Sequence, residues 1–360
     1  MSVTGARVPK PAPGVEAIER LSEAGNERGG LVPLDRNERL SPLPDAVLEE
    51  LKAGISSDLL TGYPVLDDAY ADLGAALGLP RERLLLTSGS DAAFKAIHQC
   101  YVRPGDRVVM LSPTYAMYEV YARMFEAEPV GVPIDGDLTL QPEPLLEAIT
   151  VDTRLVLLAS PNQPTGTVLP PDLLEAVIDR AADSAALVLV DEAYFPFAAA
   201  TLLPHERPNL VVTRTFSKAW GLAGARVGFA AADPEIVRTL YKVRSVYDIT
   251  ALSAHCLRVL LAHPEVATDY VSEVDAGREL LVERARAAGL EPIACPTNFL
   301  PIRVAQRMDP AALVAALERR GYLVKGPFGA PCLREFVRVT LGPPALMSAF
   351  ADALDQALAQ

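Results

Sequence analysis

The stretch LVLLASPNQPTGTVLPPDLLEAVIDRAADSAALVLVDEAY, residues 155–194, decides the fold. It opens on an unbroken apolar run, 155–159, and closes on a second, 186–190. Neither run alternates apolar with polar residues. A strand of that kind is covered on both faces, which is the property of parallel strands in an α/β sheet. Between the runs, 172–182 reads as a helix. Strand, helix, strand in one stretch is the unit from which a doubly wound sheet is built.

Working outward, residues 84–87, 107–111 and 210–213 are further buried strands, and 91–101 and 115–125 read as helices. After about residue 255 the texture changes. A long helical stretch covers 270–288, and 299–304, 323–325 and 336–341 read as strands. A helix over 310–320 and a final amphipathic helix complete a smaller α+β region. Upstream, 15–24 carries a short helical pattern, and 41–44 is rich in proline. The expected division is a large domain over 41–254, with 1–40 and 255–360 forming a small domain.

The chain has 360 residues, half of them hydrophobic, enough for one large core and a second smaller one. Its net charge is −13 with no long basic run, which argues against nucleic acid and anionic membranes as partners. Cys100, Cys256, Cys295 and Cys332 are scattered, and the four histidines lack metal-ligand spacing, so no metal is expected. MSVTGARVPKPAPG at the start lacks an apolar signal core, and no run of 18 apolar residues occurs. The expected location is the cytoplasm.

Polar residues follow four of the strands: SGSD (88–91), SPNQPTG (160–166), DEAY (191–194) and RTFSK (214–218). Ligands of open parallel sheets bind at the carboxyl ends of the strands, so these loops are expected to converge. The turn Ser88-Gly89-Ser90-Asp91 presents free backbone N–H groups ahead of a helix, as a phosphate site requires. An ordinary capped turn has the same sequence. TFSKAWGLAGAR (215–226) gathers Ser217, Lys218 and Arg226, a set suited to a phosphate and a reactive carbonyl. Of six lysines, Lys218 alone directly follows a buried strand and a polar loop. Partial desolvation there lowers an amine's pKa and makes it usable, whereas most lysines are solvated. Asp191 ends the run LVLV and needs a partner: a helix N-terminus, a salt bridge or a protonated heterocyclic nitrogen.

The ordered set LDRNE (34–38), YP (63–64), TSGSDAA (87–93), SPTYAMY (112–118), SPNQPTG, VDEAY (190–194), RTFSKAWGLAGARVG (214–228) and VRVTLG (337–342) resembles the fold-type I pyridoxal-phosphate aminotransferases. Within them it resembles the group that includes histidinol-phosphate aminotransferase. The resemblance covers nearly the whole chain. It implies a large domain with a mostly parallel seven-stranded sheet and a smaller α+β domain. It implies pyridoxal 5'-phosphate as cofactor, with Lys218 binding it covalently and then moving the proton at the substrate Cα. Asp191 would pair with the ring nitrogen, Tyr194 and Asn162 would hydrogen-bond O3′, and Tyr115 would stack on the ring. Ser90, Asp91, Ser217 and Arg226 would hold the phosphate. Tyr63 would reach the phosphate of a neighbouring subunit, making a homodimer with shared sites. Arg338 would fork onto the substrate carboxylate or the phosphate of a phosphorylated amine, and Asn37 belongs to a segment closing over the substrate.

The chain departs from the histidinol-phosphate pattern at Asn37-Glu38-Arg39-Leu40-Ser41-Pro42, where N-P-Y-G is usual after N-E, and at Lys325, where arginine is usual. Arg39 and Lys325 are candidate anion binders in its place. The expected reaction passes an amino group from a glutamate-like donor to a keto acid, ketone or aldehyde, both small molecules. The alternative is a decarboxylase of a phosphorylated amino acid, which shares the lysine. A non-catalytic effector module fused to a DNA-binding domain would need a longer N-terminal segment. A nicotinamide dehydrogenase would need G-x-G-x-x-G after its first strand.

Overall fold

The structure is a computed structural model describing residues 10–16, 18 and 29–359. Its strands in chain order are β1 (Val32–Leu34), β2 (Leu84–Thr87), β3 (Arg107–Ser112), β4 (Glu128–Pro133), β5 (Thr153–Ala159), β6 (Leu187–Asp191), β7 (Leu210–Thr215), β8 (Gly228–Ala232), β9 (Glu291–Pro292), β10 (Phe299–Arg303), β11 (Tyr322–Val324) and β12 (Phe336–Thr340). Seven form one sheet in the order β2-β8-β7-β6-β5-β3-β4. Only β8 runs antiparallel to its neighbours β2 and β7; the other pairs are parallel.

The unbroken apolar runs have the physical cause anticipated for them. Along β5 and β6, Val156, Leu158, Val188 and Val190 enter one core, while Leu155, Leu157, Leu187 and Leu189 enter another. Successive side chains point to opposite faces, so a strand buried on both sides must be apolar throughout. The first face is covered by helices Asp67–Leu77, Pro171–Asp183 and Ala251–Ala262. The second is covered by Gly89–Tyr101, Ala116–Met124 and Pro234–Tyr241. Each fully buried leucine in these layers contributes roughly 2–3 kcal/mol by leaving water.

Two strands of the sheet escape a periodicity reading. β4, EPVGVP, carries two prolines and a glycine, and half of its residues are exposed. It sits at the sheet edge, where missing N–H groups cost little. β8, GFAAA, lies at the end of the lysine-bearing motif and has only small side chains beside one phenylalanine.

A second core is built on the antiparallel sheet β12-β10-β9, with helices Glu265–Ala287, Pro310–Glu318 and Pro344–Leu358 against it. β1 pairs in parallel with β11, which ties the segment before residue 41 to this body. A helix covers Pro13–Glu16, and most of the expected helical pattern over 15–24 lies outside the described residues. Among the described residues, no helix is long and apolar enough to cross a membrane.

Candidate active site

The strand directions assemble the site. β2 and β7 both pair with β8, and Thr87 and Thr215 lie opposite Gly228 on its two sides. The carboxyl ends of β2 and β7 therefore flank the start of β8, and Arg226, two residues earlier, falls beside both. Gly228 is needed for this approach. A Cβ there would stand 2.7 Å from the Gly89 carbonyl carbon and 2.8 Å from the Ser90 nitrogen. Gly89 adopts φ +70°, and a Cβ on it would meet Arg226 Nη2 at 2.5 Å. Both glycines let a guanidinium settle against the N-terminus of helix Gly89–Tyr101. Backbone N–H groups, the helix dipole and an arginine then face one point, which is an anion cradle.

The four polar loops and the segment before residue 41 meet at a cavity of about 260 Å³. Ser90 and Asp91 come from the first loop, Gln163 from the second, Asp191 and Tyr194 from the third, and Ser217 and Lys218 from the fourth. Arg226, Thr215, Tyr115, Arg36 and Glu38 also line it. Tyr115 donates its hydroxyl hydrogen to Asp91 Oδ1 at 2.9 Å, and Thr215 donates to Ser217 Oγ at 2.9 Å.

Two groups in the cavity are electrostatically primed. Lys218 is half-buried, and its Nζ donates to the Arg36 carbonyl at 3.1 Å. Burial pulls this amine down to about 8. Arg338 pulls the same way, Glu38 opposes, and Arg226 again lowers it. The share of free amine near neutral pH is therefore far larger than for an ordinary lysine, which favours its use as a nucleophile. Asp191 is only 4 % exposed. Burial pushes its carboxyl up to about 7, partly opposed by hydroxyl donors, Thr213 to Oδ1 at 3.0 Å and Tyr118 to Oδ2 at 3.1 Å. Asp91 and Glu192 nearby push it further up. Among the described residues no cation pairs directly with this carboxylate, and a cationic ligand atom is what would stabilise its charged form.

Several sequence expectations need correction. Asn162 does not line the cavity. It is fully buried, its Nδ2 donating to the Pro113 carbonyl and Thr165 Oγ1, its Oδ1 accepting from Thr114. The neighbouring Gln163 faces the cavity instead and accepts from the Tyr194 hydroxyl at 2.8 Å. An irregular loop has no period, so which of two adjacent amides turns inward is not legible in sequence. Arg39 is no anion binder: Nη1 donates to the carbonyls of Ala219 and Val266, Nε donates to Ser41 O, and the guanidinium stacks 4.2 Å from the Tyr270 ring centre. Lys325 is exposed and outside the cavity lining; its backbone pairs with Arg338.

Asn37 and Arg338 lie just behind the wall. Asn37, at φ 56°, donates through Nδ2 to the Tyr194 hydroxyl at 2.8 Å, and its backbone N donates to Thr340. Its neighbours Arg36 and Glu38 are the residues that reach the cavity. Arg338 is 4 % exposed, donates through Nη2 to the Asp35 carbonyl at 2.8 Å, and leaves Nε without a partner. Tyr63 is far from hidden, at 77 % exposed, stacked on Tyr247 with ring centres 4.3 Å apart, and it does not line its own chain's cavity.

Fold and site together define a class, the lysine-centred enzymes built on a mostly parallel α/β sheet. Residues 31–354 match the family model described as aminotransferase class I and II, and the chain belongs to that family. It is 32 % identical to the histidinol-phosphate aminotransferase of Chlorobium luteolum, over 95 % of this chain and 97 % of that protein. It is 36 % identical to that of Chromobacterium violaceum, over 91 % and 92 %. Among solved structures, the histidinol-phosphate aminotransferase of Sinorhizobium meliloti in complex with pyridoxal-5'-phosphate superposes with a TM-score of 0.88 at 24 % identity, covering 98 % and 99 % of the two chains. That likeness confirms the fold.

Proposed function

We propose that this aminotransferase holds pyridoxal phosphate in the cavity at Lys218 and moves an amino group between a glutamate-like donor and a keto acid, ketone or aldehyde. Class I and II aminotransferases use this cofactor. The observation that carries the assignment is the joint placement of three features in one cavity: a lowered-pKa lysine, a cation-seeking carboxylate and an anion cradle. They fit, in turn, an aldehyde, a protonated ring nitrogen and a phosphate. When bound, the cofactor supplies a reactive carbonyl and a ring that takes up the electron pair left as the substrate Cα–H bond breaks.

The chain's own residues do the rest. Ser90, Asp91, Ser217 and Arg226 bind the phosphate, largely through N–H groups and the guanidinium. Asp191 holds the charge opposite the ring nitrogen. Tyr115 covers the ring, and Tyr194 with Gln163 supplies the hydrogen bonds at the ring oxygen that Asn162 cannot reach. Lys218 Nζ leaves the Arg36 carbonyl and then takes and returns the Cα proton. Arg338 exchanges the Asp35 carbonyl for the substrate carboxylate, and Asn37 fixes the Tyr194 hydroxyl from the closing segment. The names of the relatives support a phosphorylated amine such as histidinol phosphate as one partner substrate. The exposed strip of Leu60, Tyr63, Val65, Val246 and Tyr247 supports a second copy of the chain as partner, with each Tyr63 completing the other's phosphate site. A cytoplasmic location belongs to the same reading.

Adding candidate amino donors without acceptor should shift the absorbance of the bound cofactor, with glutamate among the responders. A substrate that instead releases carbon dioxide, with no donor shifting the spectrum, would select the decarboxylase. For the dimer, a mixture of Tyr63→Ala and Lys218→Ala proteins should regain activity, since half of the sites in a hybrid lack both defects. Absence of recovery after proven subunit exchange rules the shared site out.

A further inference from the structure

Tyr118 takes no direct part in the reaction above, and it is fully buried in the second core of the sheet. It lies on helix Ala116–Met124. Its ring is gripped edge-on by Phe94 at 5.1 Å and Tyr115 at 5.7 Å between centroids. Held so, its hydroxyl donates to Asp191 Oδ2 at 3.1 Å while Thr213 donates to Oδ1 at 3.0 Å. Burial and the adjacent Asp191 keep the Tyr118 phenol protonated well above the ordinary range, so it donates whenever the carboxyl is ionised.

Both donors on this carboxylate are neutral. An arginine or lysine in either place would orient it equally well but would neutralise the charge. Two hydroxyls orient it and leave the charge to whatever binds in the cavity. We infer that Tyr118 is a positioning residue, which aims the Asp191 carboxylate at the ring nitrogen of the cofactor without neutralising it. This rests on the reading of Asp191 as the ring-nitrogen partner.

The test uses binding to cofactor-free protein, measured by equilibrium dialysis. The probes are pyridoxal phosphate and its carba analogue, in which CH replaces the ring nitrogen. Wild type should prefer pyridoxal phosphate. Tyr118→Phe should weaken pyridoxal phosphate about tenfold, the scale of one hydrogen bond to a charged group, and leave the analogue unchanged. Equal weakening of both probes would make Tyr118 a packing residue only, and no weakening of either would give its hydroxyl no role. Equal affinity of wild type for both probes would overturn the Asp191 reading itself, and the inference with it.

Discussion

Lys218→Ala is expected to lower turnover by roughly 10⁴-fold or more, because one side chain supplies both the covalent attachment and the proton transfer. The bound cofactor should lose the absorbance band of its covalently attached form while still being retained by the anion cradle, which Lys218 does not build. Loss of the ammonium should not unfold the chain. The amine sits half-buried, and among the described residues its hydrogen bond is to the Arg36 carbonyl. Spectra and turnover of the purified variant decide the matter. A variant that keeps covalently attached cofactor, or near-normal turnover, removes Lys218 from the centre of the site.

Asp191→Asn is expected to cost about 10²–10³-fold in turnover, the range found when a single preorganised electrostatic partner is removed. It should have the opposite effect on the cofactor-free fold. The native carboxyl keeps its proton to about 7, whereas an unfolded carboxyl loses it near the ordinary value of 3.8. Between those values the native state binds more protons, so its stability falls as pH rises from about 4 to about 7. Asparagine carries no charge and avoids that cost, on the order of a few kcal/mol above pH 7. Cofactor-free Asp191→Asn should therefore melt above wild type near pH 8, with the gap closing toward pH 4. A gap that is flat in pH means that Thr213 and Tyr118 already compensate the buried charge.

Much of the sheet was legible because burial leaves a local trace. Residues 155–159 and 186–190 are apolar at every position since both faces of the strand are covered, and that requirement acts residue by residue. β4 left no such trace, because an edge strand can carry proline and solvent-facing residues. β8 left a weak one, because a glycine and three alanines give it little apolar bulk.

The site divides along the same line. Lys218 and Asp191 could be picked out by their place directly after buried strands. Arg39 could not be separated from a substrate arginine, because its partners are carbonyls at 219 and 266. Gln163 was masked by Asn162 beside it. Tyr118 was quoted in a motif, yet its role depends on a contact 73 residues away.

Sequence by itself determined the doubly wound sheet and picked out the lysine, the carboxylate and the glycine turn that meet in the cavity, since each is written in contiguous residues. Only the tertiary structure decided which loop residues face the cavity, which arginines are already spent, and how far the amine and carboxyl shift. Those outcomes depend on segments such as Arg36 and Lys218, 182 positions apart, that meet only once both cores have formed. Hydrophobic pattern is a local property of the chain; hydrogen-bond partners and desolvation belong to the packed whole.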